Sequence, residues 1–247
     1  MAQLLGVLEQ GLIYAVLALG VYITFKILDF PDMTVDSTFP LGAAVTALMI
    51  SNGIHPLLTL PASLLAGAAA GALTGVIHVK FHVRDLLSGI IMMTGLYSIN
   101  LHIAGRANVQ LFSFNTLFKN DFISGLPTGV QPYAPVILMA LVALIVKLLM
   151  DAYLSTRSGF LLRATGDNPT LVASLAKDSG KVKILGLAIA NALVALSGCI
   201  MCQYQRYFDI SMGTGTLVLA VASVIVGTQL LRGLRFLRAT TAVVLGS

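Results

Sequence analysis

The residues from Leu57 to Val79 read LLTLPASLLAGAAAGALTGVIHV, with no Asp, Glu, Lys or Arg among them. As a helix this stretch rises about 35 Å, enough to cross the roughly 30 Å hydrocarbon layer of a bilayer. Ser63, Gly67, Gly71 and Gly75 recur four residues apart. One face of the helix is therefore nearly bare of side chains, and that spacing predicts another helix packed closely against it.

The rest of the chain extends this reading. It is 57% hydrophobic and 10% charged, with a mean hydropathy of +0.92. Further apolar runs span Leu4 to Phe25, Leu86 to Ala104, Tyr133 to Met150, Ile184 to Cys202 and Leu217 to Leu231. The predicted fold class is all-α: a polytopic integral membrane protein of about 7–8 transmembrane helices, forming one transmembrane domain over residues 1–247. The amino terminus has neither the basic region nor the small-residue cleavage site of a removable signal, so the first apolar run is retained. From Ala239 a further span begins and stops after nine residues, so the chain is expected to lack its end.

Two places break the apolar pattern. The first, KILDFPDMTVDSTFPLGAAV (Lys26 to Val45), is too polar for lipid and too apolar for a free loop. Its aspartates and its prolines Pro31 and Pro40 predict a broken or re-entrant segment, tolerated at membrane depth only inside protein or beside water. The other reading is a hydrophilic loop ahead of a short helix, Leu41 to Ile50. Asp32, Thr34, Asp36 and Ser37 from this stretch, with Asn191 from the middle of a later span, are the expected lining of a transport pathway. For Asn191, a bond to another helix is the competing role, since an amide at bilayer depth needs a partner or water.

The second break is Asp151 to Lys183, which holds eight of the 25 charged residues. Within it Asp167 or Asn168 can cap a helix that starts at Pro169, where a missing N–H costs nothing. Leu171, Val172, Leu175 and Ala176 fall on one face of that helix, and Gly180 offers a stop. The distribution of basic residues orients the chain. Eleven of the fifteen lie in Lys80 to Asp85, Lys147 to Lys183 and Arg232 to Arg238. Only Arg106, Lys119 and Arg206 fall on the opposite side, with Lys26 undecided, so residues 151–183 face the cytosol. A capped amphipathic helix there predicts docking to a cytosolic partner. The net charge of +5 is thus a matter of membrane topology, not nucleic-acid binding.

Other features read blandly. Cys199 and Cys202 sit in an apolar run without the context of a redox motif. His78 and His82, four apart, lack a third ligand and read as flanking a helix end. LFSFNTLF (Leu111 to Phe118) is apolar enough to lie on the membrane surface or cover a pore mouth.

Three stretches together resemble the permease subunits of ATP-binding-cassette importers related to the branched-chain amino acid and ribose systems. They are GLIYAVLALGVYITF (Gly11 to Phe25), LDFPDMTVDSTFPLGAAV (Leu28 to Val45) and RATGDNPTLVASLA (Arg163 to Ala176). Within that family the chain is similar to a bacterial subgroup that works with a lipoprotein-like solute receptor and has aromatic amino acids among its suggested cargoes. The resemblance implies that residues 151–183 form a coupling loop seated in an ATPase through Arg163, Gly166, Asp167, Asn168, Pro169, Leu171, Val172 and Leu175. It implies pairing as a homodimer or near-copy in the bacterial cytoplasmic membrane, with an extracellular solute-binding protein above. The chain departs from the family at Lys177-Asp178-Ser179-Gly180 and at Gly227-Thr228-Gln229-Leu230-Leu231. It has no GxxxxGK[ST] phosphate loop, so ATP and Mg are expected on the partner ATPase, and no catalytic, cofactor or metal residues are expected here. A secondary transporter using Asp32 and Asp36 as coupling carboxylates is the alternative. A membrane enzyme would need His55, His78, His82 and His102 at one depth, whereas this topology scatters them.

The charge asymmetry makes a direct prediction. A cysteine introduced at Ser179 is labelled only from the cytosolic side of the membrane, and one at Asn115 only from outside; reversed labelling overturns the orientation.

Overall fold

The computed structural model describes residues 2–120, 125, 131–168, 172, 178–230 and 239–247. In chain order the helices are α1 (Ala2–Val21), continued by π-helical turns Tyr22–Ile27, α2 (Val35–Ser51), α3 (Pro56–Lys80), α4 (Asp85–Ala104), α5 (Ala134–Leu154), α6 (Arg157–Asp167), α7 (Ser179–Gln205), α8 (Thr216–Leu230) and α9 (Ala239–Gly246). Two short strands, β1 (Asn108–Gln110) and β2 (Tyr207–Asp209), pair antiparallel, with Val109 opposite Phe208. Among the described residues six helical stretches are long and apolar enough to cross a membrane, and α2 is a shorter apolar helix. The polytopic all-α expectation stands.

The bare face of α3 does what its spacing predicts. Gly67 and Gly71 are buried against α7, while Ser63 donates to the Gly42 carbonyl of α2 at 3.2 Å; a Cβ added at Gly71 would run into the carbonyl oxygen of Leu187. At Gly67 it would meet the Asn191 carbonyl, and at Gly75 it would lie 2.8 Å from the Ile184 Cα. Glycines bring two more helices onto α7. Gly20 of α1 sits where a Cβ would be 2.7 Å from the Ala190 carbonyl, and Gly42 of α2 backs onto Ala195. On α7 itself Gly198 lies against Phe39. Thus α7 is the central post, enclosed by α1, α2 and α3, and most of its second half is buried.

Lipid-facing and core-facing sides separate cleanly on α5. Met139, Ala143, Val146, Met150 and Leu154 are buried at helical spacing, while Ile137, Leu141, Leu144, Leu148 and Leu149 are exposed and apolar. An exposed leucine face of this kind suits hydrocarbon.

The ends of the spans agree with the charge pattern. The foot of α3 and the starts of α4 and α7 meet, bringing Lys80, Arg84, Lys181 and Lys183 to one end of the bundle. At the other end the strand pair carries Arg206 over the Phe112 ring, 5.6 Å from its centroid. The 111–118 stretch folds onto that end: Leu111 is buried, Leu117 N–H donates to Gln203 Oε1 at 3.1 Å, and Phe118 stacks edge-on with Tyr204.

Three boundaries differ from expectation. Pro40 does not end the break: α2 begins at Val35 and runs through it. Proline at the sixth position forfeits the bond to the Asp36 carbonyl, and Gly213 packs closely against that carbonyl and the Pro40 ring. Gly180 is not a stop but lies in the first turn of α7, whose cap is Asp178. Lys181 N–H donates to Asp178 Oδ1 at 3.2 Å, and that bond holds the carboxyl below the usual carboxylate range. Between α5 and α7 the described helix is α6, capped by Thr156 and ending at Asn168. Asn168 is extended, with φ −154°, as the residue before a proline must tend to be. Its carbonyl accepts from Val172 N–H at 3.4 Å. Pro169, Leu171 and Leu175 of the predicted helix lie outside the described residues.

Gly71→Leu is expected to destabilise the protein, because the new side chain must displace α7 backbone; overpacking of this kind costs about 1–3 kcal/mol or more. A Cβ added at Gly95 on α4 would meet nothing within 4 Å, so Gly95→Leu serves as the control. Thermal unfolding in detergent checks this: equal melting of Gly71→Leu and the parent refutes the α3–α7 contact.

Candidate functional site

The break between α1 and α2 is built from the backbone up. Leu28 N–H reaches back to Ile23 O and Phe30 N–H to Thr24 O, both at 2.9 Å, so the end of α1 widens before it stops. Asp29 takes φ 52°, a left-handed conformation that aspartate tolerates better than most residues. Pro31 follows, and the chain crosses the bundle as non-helical backbone until Val35.

This backbone is held by polar side chains facing inward. Asp32 is 1% exposed. Its Oδ2 accepts from Asn191 Nδ2 of α7 at 2.7 Å, and its Oδ1 accepts from Thr34 N–H at 2.9 Å. Thr34 and Thr74 of α3 share a hydroxyl–hydroxyl bond of 3.1 Å, and Thr74 also donates to the Ala70 carbonyl. Ser37 donates to Met93 O of α4 at 2.8 Å, while Asn100 of α4 donates to Ser37 O at 2.9 Å. The expected pathway residues Asp32, Thr34 and Ser37 are thus each bonded to a different neighbouring helix. Bonds of this kind between membrane helices contribute about 0.6–2 kcal/mol each.

Asp36 plays a separate part. Its Oδ1 accepts from Leu217 N–H at 2.8 Å and from Thr216 Oγ1 at 3.1 Å, and its Oδ2 from Gly215 N–H at 3.3 Å. A carboxylate from the first turn of α2 therefore caps the first turn of α8, 179 residues away. Both helices start beside it, so it compensates two helix dipoles at once. Of the five expected pathway residues, Asp36 alone is only partly buried; Asp32, Thr34, Ser37 and Asn191 are buried. The structure brings all five together around the break, where Asn191 bonds from α7 to Asp32 of the non-helical segment.

Sequence reasoning missed a second buried network. Gln203 of α7 donates to Thr59 Oγ1 of α3 at 2.8 Å and is fully buried. The signal was there, two polar residues within apolar runs, but not their register. Beside it, the turn from α2 to α3 and the 111–120 stretch line a cavity of about 680 Å³ with His55, Ser113, Phe114, Asn115 and others. His55 and His102 lie at this end of the bundle and His78 and His82 at the opposite one. Among the described residues no three His, Cys, Asp or Glu side chains gather as a metal site.

The expected coupling residues fall in the stretch between α5 and α7. Gly166 of α6 packs directly under the Ile27 carbonyl, and Leu162, fully buried, reaches Gly186 of α7. Arg163, Asp167 and Asn168 are exposed. Phe160, on the same face as Arg163 and Asp167, is 60% exposed and was not anticipated. Val172 is buried within this chain.

Comparison with known proteins places this architecture. The family model described as "Branched-chain amino acid transport system / permease component" matches residues 3–246. The chain is 43% identical to a tyrosine transport system permease protein of Clostridioides difficile over 100% of its own length and 80% of that protein. It is 28% identical to the ribose import permease protein RbsC of Escherichia coli, over 94% of this chain and 70% of the other. It is 26% identical to a probable branched-chain amino acid transport permease protein, LivH, of Methanocaldococcus jannaschii, over 92% and 75%.

Replacing the shared cap is expected to loosen α8. Asp36→Ala removes three acceptor contacts and costs about 1–2 kcal/mol, while Asp36→Asn keeps an acceptor and loses less. Melting curves in detergent measure this, and an Asp36→Ala protein as stable as the parent shows that the cap does not hold α8.

Proposed function

Since the chain belongs to the family of branched-chain amino acid transport system permease components, the membrane subunits of ATP-binding-cassette importers, we propose that its solute is an amino acid, tyrosine or a close aromatic relative, carried inward across the bacterial cytoplasmic membrane. The observation that carries the choice of solute is the 43% identity, along the whole chain, to a tyrosine transport permease, against 28% to a ribose permease. The family membership and the inward-facing bonds of Asp32 and Asn191 favour this over a secondary transporter whose carboxylates couple an ion.

The chain supplies no chemistry of its own. ATP and its Mg are held by a separate ATPase, since the sequence has no phosphate loop. A second copy of the permease completes the passage, and an external solute-binding protein delivers cargo to the outer mouth near Asn115. Helix breaks inside a membrane are where transporters place solute contacts. We assign the passage to the partly exposed side of the break, at Asp36, with Asp32, Thr34, Ser37 and Asn191 as the frame that holds its shape.

The drive enters through the arm. Because α6 is capped at Thr156 and wedged under α1 through Gly166, a push on it reaches the break without being absorbed by slack chain. The docking surface combines Phe160, Arg163 and Asp167 with the segment starting at Pro169, where Leu171 and Leu175 meet the ATPase groove. Burying one such apolar side chain contributes roughly 1.5–3 kcal/mol, so its loss weakens the joint by at least about tenfold.

Leu171→Asp is therefore expected to abolish ATPase association and tyrosine uptake while leaving membrane insertion intact, with Phe160→Ala weaker in effect and Arg163→Glu milder still. A pull-down of the ATPase alongside uptake of labelled tyrosine into reconstituted vesicles is the measurement. Normal association and uptake in Leu171→Asp remove the coupling role, and competition by ribose but not by aromatic amino acids removes the proposed solute.

A further inference from the structure

Two routes lead from the cytosolic arm to the break. One is the packing of α6 under Ile27. The other is a chain of directional contacts at the foot of the bundle, centred on His78. Lys183, in the first turns of α7, places its Nζ 3.3 Å from His78 Nε2. An ammonium has only donors, so Nε2 accepts, and the ring proton sits on Nδ1. Nδ1 then donates to the Val83 carbonyl at 2.9 Å, in the turn between α3 and α4. Asp85 lies 3.8 Å from the same nitrogen. The edge of the ring stands against Phe30, with centroids 5.2 Å apart and planes at 83°. Phe30 is 2% exposed, and two residues later Asp32 is bonded back to Asn191 of α7.

We propose that His78 is a positioning residue that ties the foot of α7 to the α1–α2 break, so that movement of α7 reaches Asp32 as a defined displacement. The inference rests on the reading that an ATPase drives the arm, which runs into α7. Three features suit His78 to the task. It is held on both ring nitrogens, so the ring cannot rotate freely. Its partners belong to three different elements, the foot of α7, the turn before α4 and the break. Its side chain is largely buried, where a hydrogen bond is not exchanged readily for water. The apolar packing at Gly166 resists compression but sets no direction; the His78 contacts set one.

Three variants separate this role from simple packing. His78→Gln preserves an acceptor for Lys183 and a donor for Val83. His78→Leu preserves bulk beside Phe30 but neither bond, and Lys183→Met removes the donor from the other side. In vesicles holding the permease, its ATPase and its solute receptor, His78→Leu and Lys183→Met are expected to spend between about two- and thirty-fold more ATP per solute carried. His78→Gln is expected to stay near the parent, and the double variant His78→Leu with Lys183→Met to be no worse than either single one. A second arm needs no ATPase: spin labels at Asp29 and Ser179 in the purified permease report the distance from the break to the start of α7. That distance distribution is expected to broaden in His78→Leu and not in His78→Gln. An unchanged distribution in His78→Leu, or an unchanged ATP cost per solute with only a lowered melting temperature, overturns the tie. A broadened distribution in a permease whose parent shows no ATP-driven uptake keeps the tie and removes the coupling reading instead.

Discussion

The close approach of α3 to α7 is the constraint on which the rest of the structure depends. With Gly67, Gly71 and Gly75 against Asn191, Leu187 and Ile184, the two backbones touch, and there is no room for side chains between them. In a bilayer the hydrophobic effect does not press helices together, since lipid is as apolar as leucine. Contact must come from packing and from polar bonds, and both need short distances. The bare face of α3 provides the distance. The same device recurs at Gly20 and Gly42, so that α1 and α2 also reach the backbone of α7.

Short distances then make the polar frame possible. Asn191 has a short side chain, yet it spans from α7 to Asp32 because the break lies against the same helix pair. Thr34 meets Thr74 on the very helix that carries the glycines. Without that packing these groups would be left unpaired at membrane depth, at a cost of several kcal/mol each. Asp36 works on the opposite flank, where α2 and α8 begin side by side and share one carboxylate. The break is therefore a junction of helix starts held by donors and acceptors from α3, α4, α7 and α8.

The α6 arm and the start of α7 are joined to this junction on two sides, through Gly166 beneath Ile27 and through the His78 contacts with Lys183 and Phe30. A membrane subunit that turns an external push into a change of access needs a stiff input and a deformable centre. Capping by Thr156 and Asp178 stiffens the two helices that flank the loop. The centre, by contrast, is non-helical from Leu28 to Thr34 apart from its side-chain bonds, and its shape is set by contacts that can be traded.

Sequence alone determined the fold class, the spans from α3 onward to within a few residues and the presence of the break. These follow from hydrophobic length and from small residues at a fixed spacing, both of which are local or additive properties. It also picked out the five polar residues gathered at the break, because a polar side chain within an apolar run is conspicuous wherever it points. What it did not decide was their partners. That Asp36 caps a helix 179 residues on, that Lys183 reaches His78, that Gln203 reaches Thr59 and that Val172 is buried within the chain all depend on which helices become neighbours and in what rotation. The α6 arm shows the same division: its cap at Thr156 is local chemistry, whereas the fit of Gly166 and Leu162 beneath α1 and α7 is a property of the assembled bundle and not of the segment.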